Sequence, residues 1–376
     1  MDRVDCLDGL RGLASLWVLL GHCCILTGFM IPLLSGPGLG VDLFMMLSGF
    51  LMVFQFEIRS RKEDWNQPRT WATFWVRRFF RLSPMYFFAL FFAFTLGGQI
   101  LVYRHEIDSF LHLGLQASER YADNSLINVL LHVTYLYGFF PAYGFRTALP
   151  DWSLALEMQF YAVFPFIALA GRRFGWATTA IVLGLLSLWA TTAGLGALYP
   201  SNTVLPIKLH VFLAGMLLAV RQEKGLWLRL AVGAMLAGLP MEFPVHWGGC
   251  IARELMYLGF AALVHFRSIA AIGAMSRILG SRFFHWLGEL SYGVYLIHLL
   301  ILQPVSAMVI RAFGSSLSNA ERFLVVTPIV ALISYALAFV TYKVIEVPGQ
   351  ELGRKLVGKR PAMPRAATDA DFIAAP

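Results

Sequence analysis

Apolar runs of roughly 17 to 25 residues recur along almost the whole chain, each long enough to cross ~30 Å of hydrocarbon as a helix. Lipid offers no partner for a bare peptide group, so such runs can only become helices or the strands of a closed barrel. Barrel strands would alternate apolar and polar residues over about ten positions, and no such segment is present. The expected fold is therefore all-α, a polytopic transmembrane helical bundle. Composition agrees: 58% of the 376 residues are hydrophobic and only 14% charged, outside the range of soluble domains. The net charge of +8 does not point to nucleic acid, because the basic residues sit at the ends of apolar runs. Cys6, Cys23, Cys24 and Cys250 form neither a C-x-x-C pair nor a His/Cys metal spacing, so no disulfide framework and no metal site is expected.

Ten spans are expected, near 7–28, 41–58, 74–101, 152–171, 175–196, 204–220, 226–241, 250–266, 286–309 and 322–345. The first carries Arg11 and lacks an A-x-A site, which marks a retained span rather than a signal peptide. Residues 126–140 are apolar but short, contain His132 and stop at Pro141, as a re-entrant or interfacial helix would. Loop charge supports leaving that segment out. With the amino terminus inside, 23 of the 30 Lys and Arg residues fall on the cytoplasmic side, and a crossing at 126–140 would invert every later loop. Both termini are then cytoplasmic. The chain divides into a membrane domain, 1–346, and a cytoplasmic tail, 347–376, that reads as disordered and ends in the Ala/Pro-rich KRPAMPRAATDADFIAAP.

Polar residues inside the spans carry the functional signal, because lipid makes each of them costly. Arg11 and His22 are eleven residues apart, hence within ~20° of one helix face and ~16 Å apart along it. A snorkelling arginine and a packed histidine are the plain alternative, and a shared face argues against it. Arg78 and Arg81 lie at i, i+3 on the inner turn of the third span. They act either as topological anchors or, with Arg11 at the same depth, as a phosphate-binding cluster of guanidiniums. Ser153 and Glu157 share a face at i, i+4 of the fourth span. Entering from the opposite side, Glu157 reaches about the depth of His22, so a His22/Glu157 pair is expected. Tyr292, Tyr295 and His298 place further polar groups on the ninth span, where structural packing is the leading reading for His298. The glycines of GPGLGVD (36–42) read as a turn rather than a phosphate loop.

Five segments together, in this order, resemble the acyltransferase 3 family of integral membrane acyltransferases: LDGLRGLA with Arg11-x10-His22, GVDLFMMLSGFLM, RRFFRLSP, WSLALEMQFYAVFP and LGELSYGVYLIH. The resemblance covers about residues 5–345. One departure is Met158, where relatives commonly carry a second glutamate after Glu157.

The resemblance implies transfer of an acyl group, usually acetyl from cytoplasmic acetyl-CoA, to a hydroxyl of a carbohydrate acceptor such as an exopolysaccharide, O-antigen or glycolipid. It also implies residence in a bacterial cytoplasmic (inner) membrane, as a module without the hydrolase-like domain that some relatives carry. On that reading Arg11, Arg78 and Arg81 bind the phosphates of acyl-CoA. His22 is the general base or the acyl carrier, Glu157 orients and stabilises its imidazole, and Ser153 hydrogen-bonds one of them. The main rival is a glycolipid or sugar transporter whose polar residues line a pathway without making bonds. A structural partner subunit would leave the three arginines without a purpose.

Overall fold

A computed structural model describes residues 6–199, 202–220, 225–241 and 247–358. Arg3, Arg221, Lys224 and residues 359–376, on which part of the expected charge bias and the end of the tail rest, lie outside the described residues.

Among the described residues there is no strand. The chain runs through α1 (Cys6–Thr27), α2 (Pro37–Arg59), α3 (Pro68–Phe110), α4 (Glu119–Ala122), α5 (Leu126–Val133), α6 (Trp152–Phe174), α7 (Trp176–Ala190) and α8 (Gly196–Leu198). It continues as α9 (Leu205–Ala219), α10 (Leu226–Ala237), α11 (Trp247–His265), α12 (Ala270–Leu279), α13 (Arg282–Phe313), α14 (Asn319–Thr341) and α15 (Val347–Val357). Among the described residues seven helical segments are long and apolar enough to cross a membrane, or eight if α11 and α12, bent by 96°, count as one. The segments expected at 204–220 and 226–241 form the shorter helices α9 and α10, of 15 and 12 residues. Helix α5 has eight residues, about 12 Å of rise and well short of the ~30 Å core.

Burial orders these helices. The apolar window of α13 is 78% buried, against 28% for α14 through α15 and 17% for α7 through α8, so α13 is central and the other two face outward. Helix α1 lies along α13 so closely that a Cβ on Gly288 would stand 2.2 Å from the Asp8 carbonyl oxygen. Small residues permit this approach, which substitutes for a hydrophobic drive between helices in lipid. Two polar pairs fix the register: Ser15 Oγ donates to the Ser291 carbonyl at 3.0 Å, and one heptad on, His22 meets His298 at 3.0 Å. Both pairs share one offset in sequence, so α1 and α13 run parallel. Helix α14 runs the other way. Its start is held to the end of α1 by Asn319 and Arg322, which donate to the carbonyls of Gly28 and Thr27.

The tail departs from expectation where it is described. Residues Val347–Val357 are helical rather than disordered, because Gly349 and Gly353 let α15 settle against Pro84 and Phe80 of α3. A Cβ at either glycine would lie 2.5 Å from those side chains.

A buried ionic cluster ties α2, α9 and α11 together. Lys208 Nζ and Arg253 Nη1 reach the two carboxylate oxygens of Asp42 at 3.1 and 3.3 Å. The charge count put Lys208 and Arg253 among the seven basic residues on the outer side, and both are packed inside the bundle. Cations this far from water need a carboxylate partner, and Asp42 supplies one from the second turn of α2: the GPGLGVD stretch, expected as a turn, is helical from Pro37 onward.

Candidate active site

A cavity of about 280 Å³ opens among α1, α2, α3, α6, α13 and the helical turn 342–346 that joins α14 to α15. Arg11, Arg78 and Arg81 all line it, as do Ser153 and Glu157. Five of the six site residues read from the sequence therefore meet around one space, delivered by the three helices α1, α3 and α6. His22 is the exception: it does not line this cavity.

The guanidiniums are held loosely. Arg78 donates to the neutral Gln55 amide oxygen and lies over the rings of Phe74 and Tyr161, 5.6 Å from each centroid. Arg11 stands 4.0 Å from Asp8. Arg81 makes no hydrogen bond or ion pair with another described residue. Two carboxylates of the same wall are engaged elsewhere, Asp8 with His285 at 2.9 Å and Glu157 with Ser48 and Tyr161, while the third, Glu346, leaves a buried oxygen without a hydrogen bond from any described residue. Guanidinium donors thus remain for an incoming anion, and a phosphate takes them two at a time.

Opposite the arginines the cavity ends on Ser153 and Tyr295, whose hydroxyls are 2.7 Å apart. The Tyr295 hydroxyl also bonds the Pro150 carbonyl, which can only accept. Tyr295 therefore donates to Pro150, and Ser153 donates to Tyr295. Behind them Asp151, fully buried at the start of α6, accepts from Thr147 at 3.0 Å and Tyr86 at 3.2 Å. His132, from the segment expected to be interfacial, stacks on Tyr137 at 4.2 Å and turns its Nε2 to within 3.8 Å of Asp151. Burial pushes the Asp151 carboxyl above the ordinary aspartate range, with His132, Thr147 and Tyr86 opposing that shift. This network fixes the turn that presents Ser153.

One helical turn beyond Tyr295 lies His298, and against it His22, half-buried, with ring centroids 5.0 Å apart. The expected pairing of His22 with Glu157 is not made. His22 bonds His298 and the Val18 carbonyl, while Glu157 accepts from Ser48 and Tyr161. The difference lies in which neighbour each helix faces: α1 turns His22 toward α13, and α6 turns Glu157 toward α2 and into the cavity of the arginines. Ser153 likewise bonds Tyr295 rather than His22 or Glu157. Sequence reasoning also missed Gln55, Tyr161 and Glu346 as cavity residues. Gln55 and Glu346 close otherwise apolar stretches of their spans, and that lone polar position near an inner helix end was the available signal. Among the described residues no group of three His, Cys, Asp or Glu side chains could hold a metal ion.

Comparison with known proteins gives the family. Residues 4–343 match the family model described as an acyltransferase domain, Acyl_transf_3. The peptidoglycan O-acetyltransferase OatA of Listeria monocytogenes is 28% identical over 327 residues, covering 80% of this chain and 49% of that protein. The acyltransferase MdmB of Streptomyces mycarofaciens is 22% identical over 98% of this chain and 96% of its own length. The O-acetyltransferase OatA of Staphylococcus aureus is 28% identical over 43% of this chain and 24% of its own length. The chain thus spans about half the length of the Listeria relative and less of the Staphylococcus one. No solved structure matches.

Proposed function

The chain belongs to the acyltransferase 3 family, and from that premise we propose that it is a membrane O-acyltransferase. It moves an acyl group, acetyl in the first instance, from acyl-CoA to a hydroxyl of a carbohydrate acceptor such as an exopolysaccharide, O-antigen or glycolipid. The observation that carries this reading is one cavity with three lightly held guanidiniums at one end and, a helical turn past the other, an imidazole pair.

In the transfer, Arg11, Arg78 and Arg81 take the phosphates of CoA, and the pantetheine arm follows the cavity toward Ser153 and Tyr295. An extended arm spans the ~16 Å that separate Arg11 from His22 along α1. His22 Nε2 accepts the acceptor hydroxyl's proton as its oxygen attacks the thioester carbonyl; the C–O bond forms, the C–S bond breaks, and the thiolate leaves to be protonated as CoA. In the two-step variant Nε2 itself attacks, CoA departs, and the hydroxyl then displaces the imidazole. Both routes need an unprotonated Nε2. Glu157 acts within the CoA cavity through Tyr161 and Ser48 rather than on His22.

The membrane reading is ten crossings with both termini in the cytoplasm of a bacterial inner membrane. Parallel α1 and α13 require an odd number of crossings between them. The expected spans from 41–58 to 250–266 number seven, and a further crossing at 126–140 would make the count even. Helix α14 starts at the end of α1 and returns to its beginning, where Glu346 joins Asp8 and Arg11 in the cavity wall, which supports putting both termini on one side. Membrane domain and tail divide near 346.

The test is release of free thiol from acetyl-CoA by the purified protein, with and without a glycan fraction. Glycan-dependent thiol release with acetyl esters on the glycan supports the enzyme; uptake of the glycan without thiol release indicates a carrier.

A further inference from the structure

The mechanism above uses His22 but leaves its neighbour without a task. We infer that His298 is a positioning residue that holds His22 in the one neutral tautomer able to act, with hydrogen on Nδ1 and a bare Nε2. This rests on the acyl-transfer reading and adds to it the group that takes the orienting place expected of Glu157.

The argument is a count of hydrogens. His298 is fully buried, and its Nδ1 lies 2.7 Å from the Tyr295 carbonyl oxygen and 3.1 Å from that of Val294. Carbonyl oxygens only accept, so Nδ1 of His298 carries a hydrogen. A neutral imidazole then has only a lone pair at Nε2, and this Nε2 stands 3.0 Å from His22 Nδ1. His22 must therefore donate from Nδ1. The Val18 carbonyl, 3.0 Å from the same nitrogen, accepts from it as well and reinforces the choice. Two acceptors converge on His22 Nδ1, and in the neutral ring its Nε2 is left unprotonated. When Nε2 takes a proton, the Nδ1 hydrogen already points at two acceptors, so the new positive charge meets oriented partners without any rearrangement.

The register that brings the rings together is built into the packing. Ser15 and Ser291 sit one heptad below His22 and His298, and Gly288 allows the backbones to meet. A carboxylate in the place of His298 would draw the proton more strongly. An imidazole gives orientation without a fixed negative charge, consistent with a site about three helical turns along α1 from Arg11.

The experiment is nitrogen NMR of histidine-labelled protein in detergent, with His22 assigned by the signals lost in His22→Ala, together with kinetics of His298→Leu and His298→Gln. The expected spectrum has His22 protonated at Nδ1 and bare at Nε2 in wild type and in His298→Gln, whose amide oxygen can still accept. His298→Leu should show both tautomers. Its kcat should fall about 10- to 100-fold, the range of one lost hydrogen bond to a group that becomes charged, with KM for acetyl-CoA unchanged. His298→Gln should recover most of that loss. A wild-type His22 protonated at Nε2 overturns the inference, as does a folded His298→Leu protein with undiminished kcat. Should His298→Leu fail to fold, the wild-type spectrum and the His298→Gln kinetics decide. Full transfer by His22→Ala would instead overturn the acyl-transfer role of His22 and leave the tautomer result standing.

Discussion

Arg81→Ala gives the cleanest view of the anion site, because Arg81 lines the cavity yet makes no hydrogen bond or ion pair with another described residue. Its truncation breaks no hydrogen bond among the described residues, and only the buried Glu346 loses a nearby positive charge, so the fold should register the change modestly. What disappears is a guanidinium for the phosphates of CoA. A hydrogen bond to a charged partner contributes roughly 1.5–3 kcal/mol, and 1.4 kcal/mol is a tenfold change in equilibrium. KM for acetyl-CoA should therefore rise about 10- to 100-fold, with kcat within about a factor of two, because the lost contact is made equally in ground and transition states. Arg81→Lys keeps the charge but not the two-pronged fork and should fall between. The assay is thiol release from acetyl-CoA at a saturating acceptor concentration, run beside a thermal melt in the same detergent. An unchanged KM, or a loss of melting temperature as large as the loss of affinity, would show that Arg81 anchors the helix instead of binding the donor.

Other substitutions separate chemistry from architecture. His22→Ala should lower kcat about 10²- to 10⁴-fold, the usual weight of a general base, while leaving the melting temperature near wild type; equal activity in initial-rate assays would remove His22 from the chemistry. Glu157→Ala strands the Ser48 and Tyr161 hydroxyls in the cavity wall and should cost about 1–3 kcal/mol of stability, whereas Glu157→Gln, which keeps an acceptor for both, should melt close to wild type. Asp42→Ala removes the carboxylate that Lys208 and Arg253 share and should cost about 3–5 kcal/mol, seen as loss of monodisperse protein on size exclusion. Gly288→Ala forces a methyl against the Asp8 carbonyl and should lower stability by about 1–3 kcal/mol while cutting activity through the shifted His22 and His298 rings.

Helices were legible in the chain; their facing neighbours were not. Apolar run length located the membrane helices because it depends on local composition alone, and the spacing of Arg78 and Arg81 put both on one wall as a 3.6-residue period must. Which side each helix turns to a neighbour depends on contacts between distant segments, and there the His22/Glu157 pairing went astray. A subtler signal was present. Gly9, Gly12 and Ser15 form a small-residue stripe on α1, and Gly288 and Ser291 form another on α13, the usual mark of two helices in close contact. Extending both stripes by one heptad puts His22 opposite His298. The Asp42 cluster was hidden for a related reason: charge counting puts Lys208 and Arg253 on the outer side, and only the packed bundle shows that α9 and α11 turn them inward onto Asp42. The start of the tail escaped because its order comes from α3, through Phe80 and Pro84, and not from its own apolar content.

The central claim is that donor thioester and acceptor hydroxyl react here under the control of His22. The most direct measurement incubates purified protein with acetyl-CoA carrying separate labels on the acetyl group and on CoA, together with cell-envelope glycan, in wild type and His22→Ala. The account predicts acetyl label in ester linkage to glycan, CoA label in an equal amount of free thiol, and neither product from His22→Ala. Ester formation that survives in His22→Ala, or glycan binding by wild type with the thioester intact, would contradict it.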